Sequence, residues 1–177
     1  KFRLIGVTGT NGKTSVTYLI RSILKKAGQK VGLIGTIANL IDEQKIPSEH
    51  TTPESSDLQH LFSKMREQEV DSAVMEVSSH ALALNRVAGS EYDVAVFTNL
   101  TQDHLDFHPS LEAYLEAKAK LFKNLRPGRK NNSKYAVLNW DDPSSKIIAA
   151  QTKVPVITYG VKKDANYRAE DIELHLT

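Results

Sequence analysis

The sequence predicts an α/β fold, doubly wound around a mainly parallel sheet, and three observations carry the prediction. Apolar runs alternate with segments of helical spacing along the chain, the order that sets helices on both faces of a parallel sheet. Two of those runs, Ser72 to Val77 and Asp93 to Thr98, are nearly unbroken, as strands covered on both faces require. Polar residues gather just after the strands, where open α/β sheets bind ligands.

The elements follow in order. A first strand runs from Phe2 to Val7, interrupted by Arg3, and feeds the turn Thr8-Gly9-Thr10-Asn11-Gly12-Lys13-Thr14. Ser15 to Ala27 carries apolar residues at helical spacing and stops at Gly28. Lys30 to Gly35 reads as a short strand, and Asn39 to His50 as a polar, turn-rich stretch. Thr51-Thr52-Pro53-Glu54 is expected to open a second helix, with Thr52 as N-cap and Pro53 at the first helical position. Leu58, Leu61, Phe62 and Met65 form its stripe, and it should end near Glu69.

Ser72 to Val77 is a strand closing on Glu76, and Asp93 to Thr98 is another. A third helix is expected from about Ser110 to Asn124, stopped by Pro127-Gly128, with Arg126 to Lys134 as an exposed loop. Tyr135 to Asn139 is a strand, Pro143 to Gln151 a short helix and Val154 to Tyr159 a strand again. Beyond Gly160, Ala165 to Thr177 alternates at Ile172, Leu174 and Leu176 and reads as a partial edge unit.

Composition bounds the function. With 177 residues and 40% hydrophobic content, the chain can bury a core and is most simply one domain. Its formal charge of +2 is a small Lys/Arg excess spread along the chain, which gives no footprint for nucleic acid or an anionic membrane. The absence of cysteine excludes disulfides and thiolate metal sites. No apolar run approaches the ~20 residues that span a bilayer, and no signal peptide is visible. Starting at Lys1 without methionine, on the edge of an expected core strand, the chain reads as a piece of something larger.

The glycine-rich turn carries the clearest chemistry. Glycines let backbone N–H groups turn inward at a helix N-terminus, where the dipole also favours an anion, and phosphate is the natural guest. Lys13 supplies a mobile charge for terminal phosphates, and the Thr14 hydroxyl is placed to bind a Mg²⁺ bridging them. The strict pattern G-x-x-x-x-G-K-[ST] wants glycine where this chain has Val7, so the loop is a variant. Glu76 ends an apolar strand, where nucleotide-hydrolysing folds put a Mg²⁺-holding carboxylate; the alternative is a cap on the turn at Ser78-Ser79.

Thr98 to His108 packs Asp103, His104, Asp106 and His108 into a few residues. The two histidines stand four apart, which makes zinc conceivable, but no cysteine or further clear ligand set accompanies them, and Mg²⁺ prefers oxygen. Lys118 shares its helical stripe with Leu111, Tyr114, Leu115, Leu121, Phe122 and Leu125, so a lysine stands where a core residue belongs. Burial disfavours an ammonium; such a lysine can pair with a carboxylate, bind phosphate or react with CO₂ to give a carbamate. The alternative is a buried stem with its charged head in water.

Taken together, Gly9 to Thr14, Thr51 to Glu54, Met75 to Leu82 and Thr98 to Asp106 closely resemble the Mur ligases, in order and over nearly the whole chain. Within that family the resemblance is to the ligases of the third amino acid of the peptidoglycan precursor. It implies most of the central ATP-binding domain of a three-domain, monomeric, cytoplasmic enzyme. The implied reaction uses ATP to turn the D-glutamate γ-carboxylate of UDP-MurNAc-L-Ala-D-Glu into an acyl phosphate. The amine of diaminopimelate or L-lysine then displaces phosphate and forms an amide.

The resemblance also implies the site. Gly9, Thr10, Asn11, Gly12, Lys13, Thr14 and Ser15 would hold the phosphates, and Thr14 with Glu76 would serve one Mg²⁺. Glu76, His104 and an N6-carboxylated Lys118 would serve a second metal, which makes Lys13, His104 and Lys118 the implied catalytic residues. Thr51, Thr52, Ser78 and Arg86 match positions that contact the UDP-muramoyl dipeptide, and many relatives carry glutamine where this chain has Leu84. Residues 1–177 alone are expected to bind ATP weakly at most and to ligate nothing.

Two alternatives are weaker. A GTPase switch needs a guanine-reading N-K-x-D, and Asn139-Trp140-Asp141-Asp142 lacks the lysine; no D-x-x-G is found either. Folylpolyglutamate synthases resemble G-T-N-G-K-G-S, whereas Thr14 follows the lysine here, and Thr51 to Glu54 favours the muramoyl enzymes.

Overall fold

The computed structural model describes residues 1–102, 107–125, 133–161 and 164–173. In chain order the elements are β1 (Arg3–Thr8), α1 (Lys13–Lys26), β2 (Val31–Ile34), β3 (Asn39–Ile41), β4 (Gln44–Ile46), α2 (Ser55–Glu67) and β5 (Ser72–Glu76). They continue with α3 (Ser79–Ala83), β6 (Val94–Phe97), α4 (Leu111–Lys123), β7 (Tyr135–Asn139), α5 (Ser144–Gln151), β8 (Val156–Gly160) and β9 (Tyr167–Arg168). The strands form one sheet in the order β4-β3-β2-β5-β1-β6-β7-β8-β9. All neighbours pair in parallel except β2 with β3 and β3 with β4.

Alternating side chains explain why helices cover both faces. Ile5 and Val7 of β1, with Val31, Val74 and Val96, form one core beneath Val16, Ile20 and Leu24 of α1. Leu4, Met75, Phe97 and Leu138 point to the opposite face, against Leu58, Leu61 and Met65 of α2, Leu121 and Phe122 of α4 and Ile148 of α5. Each such fully buried side chain contributes roughly 1.5–3 kcal/mol relative to exposure.

Topology then places the site. β1 lies between β5 and β6, and the chain reaches β2 on one side before crossing to β6 on the other. This is a switch point, the place where open α/β sheets bind ligands beyond the strand ends. Register makes the neighbours explicit: Val7 pairs with Glu76, and Thr8 with Phe97. The loop after β1 is therefore flanked by Glu76 on one side and Thr98 on the other.

The structure corrects several local expectations. The stretch from Asn39 holds the β3–β4 hairpin, closed at Asp42 in the left-handed region (φ 51°) and tied by Arg21 and Lys25 of α1 to Asp42 and Glu43. Its strands are too short and polar to announce themselves by alternation. Thr52 does not cap α2, which starts at Ser55 after Glu54; Thr52 is buried instead. Glu76 does not cap the following turn either: Ser78 caps α3, accepting from the Ala81 amide at 3.2 Å. Of the loop expected over Arg126 to Lys134, residues 126–132 lie outside the described residues, and Lys134 is 5% exposed rather than on the surface. The edge unit expected over Ala165 to Thr177 contains the strand Tyr167–Arg168; Ile172 is exposed, and Leu174 and Leu176 lie outside the described residues.

Candidate nucleotide site

The turn between β1 and α1 is built as an anion cradle. Gly9 has φ 149°, and a Cβ there would lie 1.9 Å from Thr98 Oγ1, so only glycine fits. Gly12, at φ 84°, is the residue before α1, and nothing lies within 4 Å of where its Cβ would stand. No side chain caps the N-terminus of α1 and its first turn holds no acidic residue. Its leading amides and the positive end of its dipole thus face a site open to a phosphate. Ser15 is exposed in that first turn.

Lys13 folds back over the loop and donates to the carbonyls of Gly9 (3.0 Å) and Thr10 (2.9 Å). Those are positions an ammonium can leave when a phosphate offers stronger, charge-assisted bonds. The Thr14 hydroxyl donates to Glu76 Oε2 at 3.0 Å, which joins the loop to the end of β5. Glu76 is 1% exposed. It also accepts from the Thr36 amide (2.9 Å) and the Thr36 hydroxyl (3.1 Å), so its carboxylate is solvated by protein donors.

A second segment clamps the loop from the other side. Asn99 accepts the Thr10 amide on its carbonyl (2.8 Å) and the Asn11 amide on Oδ1 (2.9 Å). The Thr98 hydroxyl donates to the Asn11 carbonyl at 2.7 Å, and the Thr101 amide donates to Thr10 Oγ1 at 3.0 Å. Thr98 and Asn99 fall in the motif Thr98 to Asp106 but were given no role of their own, and Thr36 was not singled out; its signal was position alone, a polar residue just past an apolar strand.

Lys118 is 1% exposed, so its head does not snorkel to water. It donates to the Gly9 carbonyl at 2.9 Å and lies 4.2 Å from the centre of the Tyr114 ring, a cation–π contact. The helical stripe thus delivers Lys118 to the phosphate loop. Leu111, on the same stripe, is 42% exposed. His104 lies outside the described residues, so the shared ligand set of Glu76, His104 and Lys118 does too. Among the described residues, no group of three or more His, Cys, Asp or Glu side chains could hold a metal. His108 is buried in a ring cluster, with centroids 5.1 Å from Tyr114 and 5.8 Å from His80.

The residues matched to substrate contacts join the same network. Thr51 and Thr36 share a hydroxyl hydrogen bond of 3.0 Å, and Thr36 reaches Glu76. The Thr52 hydroxyl donates to the Glu76 carbonyl (3.0 Å) and accepts the Ser78 amide (3.0 Å). Arg86 pairs with Glu54 at 2.7 Å and approaches the Thr52 carbonyl at 3.5 Å. Leu84 is 54% exposed. Thr51, Thr52, Ser78 and Arg86 thus line one flank of Glu76, and the phosphate loop the other.

Comparison with known proteins gives the family. A family model described as the Mur ligase middle domain matches residues 7–177. The UDP-N-acetylmuramoyl-L-alanyl-D-glutamate–2,6-diaminopimelate ligase of Caldanaerobacter subterraneus subsp. tengcongensis is 52% identical over 177 residues, all of this chain and 35% of the relative. A solved UDP-N-acetylmuramoyl-L-alanyl-D-glutamate–2,6-diaminopimelate ligase superposes with a TM-score of 0.83 at 34% identity, covering 94% of this chain and 34% of that one. The folylpolyglutamate synthase of Mycobacterium tuberculosis, solved with ADP and AMPPCP, shares the fold at a TM-score of 0.66 and 18% identity, over 90% of this chain and 43% of that one. This chain spans about a third of the length of the curated relatives it matches. With its middle-domain model matched over residues 7–177, the chain belongs to the Mur ligase family.

Proposed function

We propose that the chain is most of the central, nucleotide-binding domain of a three-domain ligase. That ligase adds diaminopimelate to UDP-MurNAc-L-Ala-D-Glu at the expense of ATP. The observation that carries the reading is the uncapped N-terminus of α1 with Lys13 folded over the loop, adjoining the Thr14–Glu76 pair at 3.0 Å. The choice of amino acid rests on the relatives, which are diaminopimelate ligases at about half identity. The enzyme would act in the cytoplasm as a monomer. No helix among the described residues is long and apolar enough to cross a membrane.

The residues fit Mg²⁺-bound ATP. Thr14 and Glu76 bring a hydroxyl and a carboxylate oxygen within 3.0 Å of each other, and oxygen ligands are what a hard cation takes. When bound, the ion would neutralise charge between the terminal phosphates and the incoming carboxylate. Lys13 exchanges the Gly9 and Thr10 carbonyls for the terminal phosphate, and the leading amides of α1 orient the chain of phosphates. Thr51, Thr52, Ser78 and Arg86 hold the acidic substrate so that its carboxylate attacks in line. The attack forms the carboxylate–phosphorus bond and releases ADP; the amine then forms the amide bond and releases phosphate. The chain's contribution is mainly positioning and charge neutralisation.

In this reading Lys118 takes up CO₂ as the neutral amine, losing a proton and becoming a carbamate. The carbamate keeps an N–H for the Gly9 carbonyl and gains oxygen donors for the second metal, together with His104. The test is product formation by the complete ligase with diaminopimelate or L-lysine as the amine. Amide formation with diaminopimelate, dependent on ATP, is expected; ligation of L-lysine alone would reassign the acceptor, and no ATP-dependent ligation would remove the reading.

A further inference from the structure

The turn that follows β7 has no part in the reaction above, yet it is densely bonded to the segment that clamps the phosphate loop. We propose that Asn139 and Asp142 are positioning residues for nucleotide binding. They act through residues 98–101 to hold the loop at Thr10 and Asn11 in its binding form. The inference rests on the phosphate-loop reading and extends it to residues that never touch the nucleotide.

The bonds form three tiers. β7 runs beside β6, with Leu138 opposite Phe97, so the residue ending β7 reaches across the chain leaving β6. Asn139 donates from Nδ2 to the Thr98 carbonyl (2.7 Å), and its Oδ1 accepts the Asp141 amide (3.1 Å), which fixes which way the side-chain amide faces. Asp142 accepts the Leu100 amide on Oδ2 (2.6 Å) and the Ser144 amide on Oδ1 (2.8 Å). Its carboxylate thus anchors residue 100 to the start of α5. The anchored segment then makes the contacts already described to Thr10 and Asn11, through Thr98, Asn99 and Thr101.

The physical reason for such bracing lies in the loop itself. A backbone carrying Gly9 and Gly12 has many accessible conformations, and ordering it when a ligand arrives costs conformational entropy. Bonds made before binding remove part of that cost from the affinity. Asp142 is a charged acceptor, so its bond to Leu100 is the strongest kind available to an amide. Asp141, the residue before it, accepts the Val161 amide at 2.9 Å and so ties the turn to the end of β8. Asp141 therefore makes the control for Asp142.

The experiment measures MgATP binding to the complete ligase by calorimetry, together with hydrogen exchange of the amides of Thr10 and Asn11. Asp142→Asn should weaken binding about tenfold, the size expected for one lost charge-assisted bond, and Asn139→Asp, which sets an acceptor against the Thr98 carbonyl in place of a donor, should weaken it by about as much. Both should speed exchange in the loop while leaving the amides of β1 and β5 protected. Asp141→Asn should change neither. Combined with Asn99→Ala, the Asp142→Asn effect should be less than additive, because both act on one chain of bonds. Should a variant not fold, Tyr159→Phe offers a milder test. It removes only the hydroxyl bond to the Phe97 carbonyl (3.1 Å), at the root of the same segment, and should weaken binding about twofold. Folded variants with unchanged affinity and exchange, additivity with Asn99→Ala, or an equal effect of Asp141→Asn would overturn the proposal. No MgATP binding by the unsubstituted ligase would overturn the phosphate-loop reading itself, and the brace with it.

Discussion

Two buried lysines stand at opposite ends of the sheet, and they are held in different ways. Lys134, 5% exposed just before β7, donates to the Tyr92 carbonyl (2.7 Å) and lies 3.2 Å from Glu91 and 3.8 Å from Asp93. Asp93 in turn accepts the Leu4 amide at 2.8 Å, so this cluster knits β1, β6 and β7 together at their amino ends. Lys118, 1% exposed, donates to a loop carbonyl at the carboxyl ends and lies over an aromatic face. Lys134 is set among carboxylates, whereas Lys118 reaches the glycine-rich loop, which under the proposed function holds the phosphates. The comparison teaches that burial of a charge does not identify a site; what the charge faces does.

That contrast breaks most visibly at the loop. Lys13→Ala should lower acyl phosphate formation by about a thousandfold, as removal of a transition-state charge partner does; near-normal turnover would remove Lys13 from the chemistry. Lys118→Ala should abolish ligation while the fold survives, and a small carboxylate should restore part of the activity by standing in for the carbamate. Failure of that rescue would leave Lys118 acting as an ammonium.

Lys134→Met should do the reverse. Stranding Asp93 without its cation should cost about 3 kcal/mol of stability, read by urea unfolding, with MgATP affinity unchanged in the folded protein. A change in affinity without a change in stability would erase the distinction between the two lysines.

Much of this was legible in the sequence, for reasons that can be named. The apolar runs of β5 and β6 and the glycine-rich turn after β1 are local signals, and so is the stripe that put Lys118 on a buried face. Lys134 was read as loop because its neighbours are polar, and nothing in a local pattern reveals that Asp93 and Glu91 will close on it from far along the chain. Thr52 was read as a cap from the Pro53 that follows; its hydroxyl instead serves the end of β5, a contact set by tertiary packing. The β3–β4 hairpin carries too few apolar residues to show a period. The clamp of Thr98 and Asn99 on the loop needed the strand order, which places β6 beside β1.

The smallest expected effect concerns pH. Burial raises the Tyr159 phenol above its ordinary range, and Asp141 and Asp142 raise it further. Tyr92 is also raised, by burial, with the neighbouring Ser90 side chain opposing. Both are therefore neutral in the fold at a pH where an unfolded tyrosine, near about 10, begins to ionise. Their contribution is fully present below about pH 10 and declines as the pH climbs beyond it. Stability measured against pH should fall more gently above that point in Tyr159→Phe, and an identical alkaline slope would show that the phenol is not held neutral.

The most direct test of the account is a crystal of the protein soaked with a non-hydrolysable ATP analogue. The phosphates should lie at the N-terminus of α1, with Lys13 Nζ moved from the Gly9 and Thr10 carbonyls onto the terminal phosphate. An analogue bound elsewhere, or a Lys13 still on those carbonyls beside an occupied loop, would contradict it.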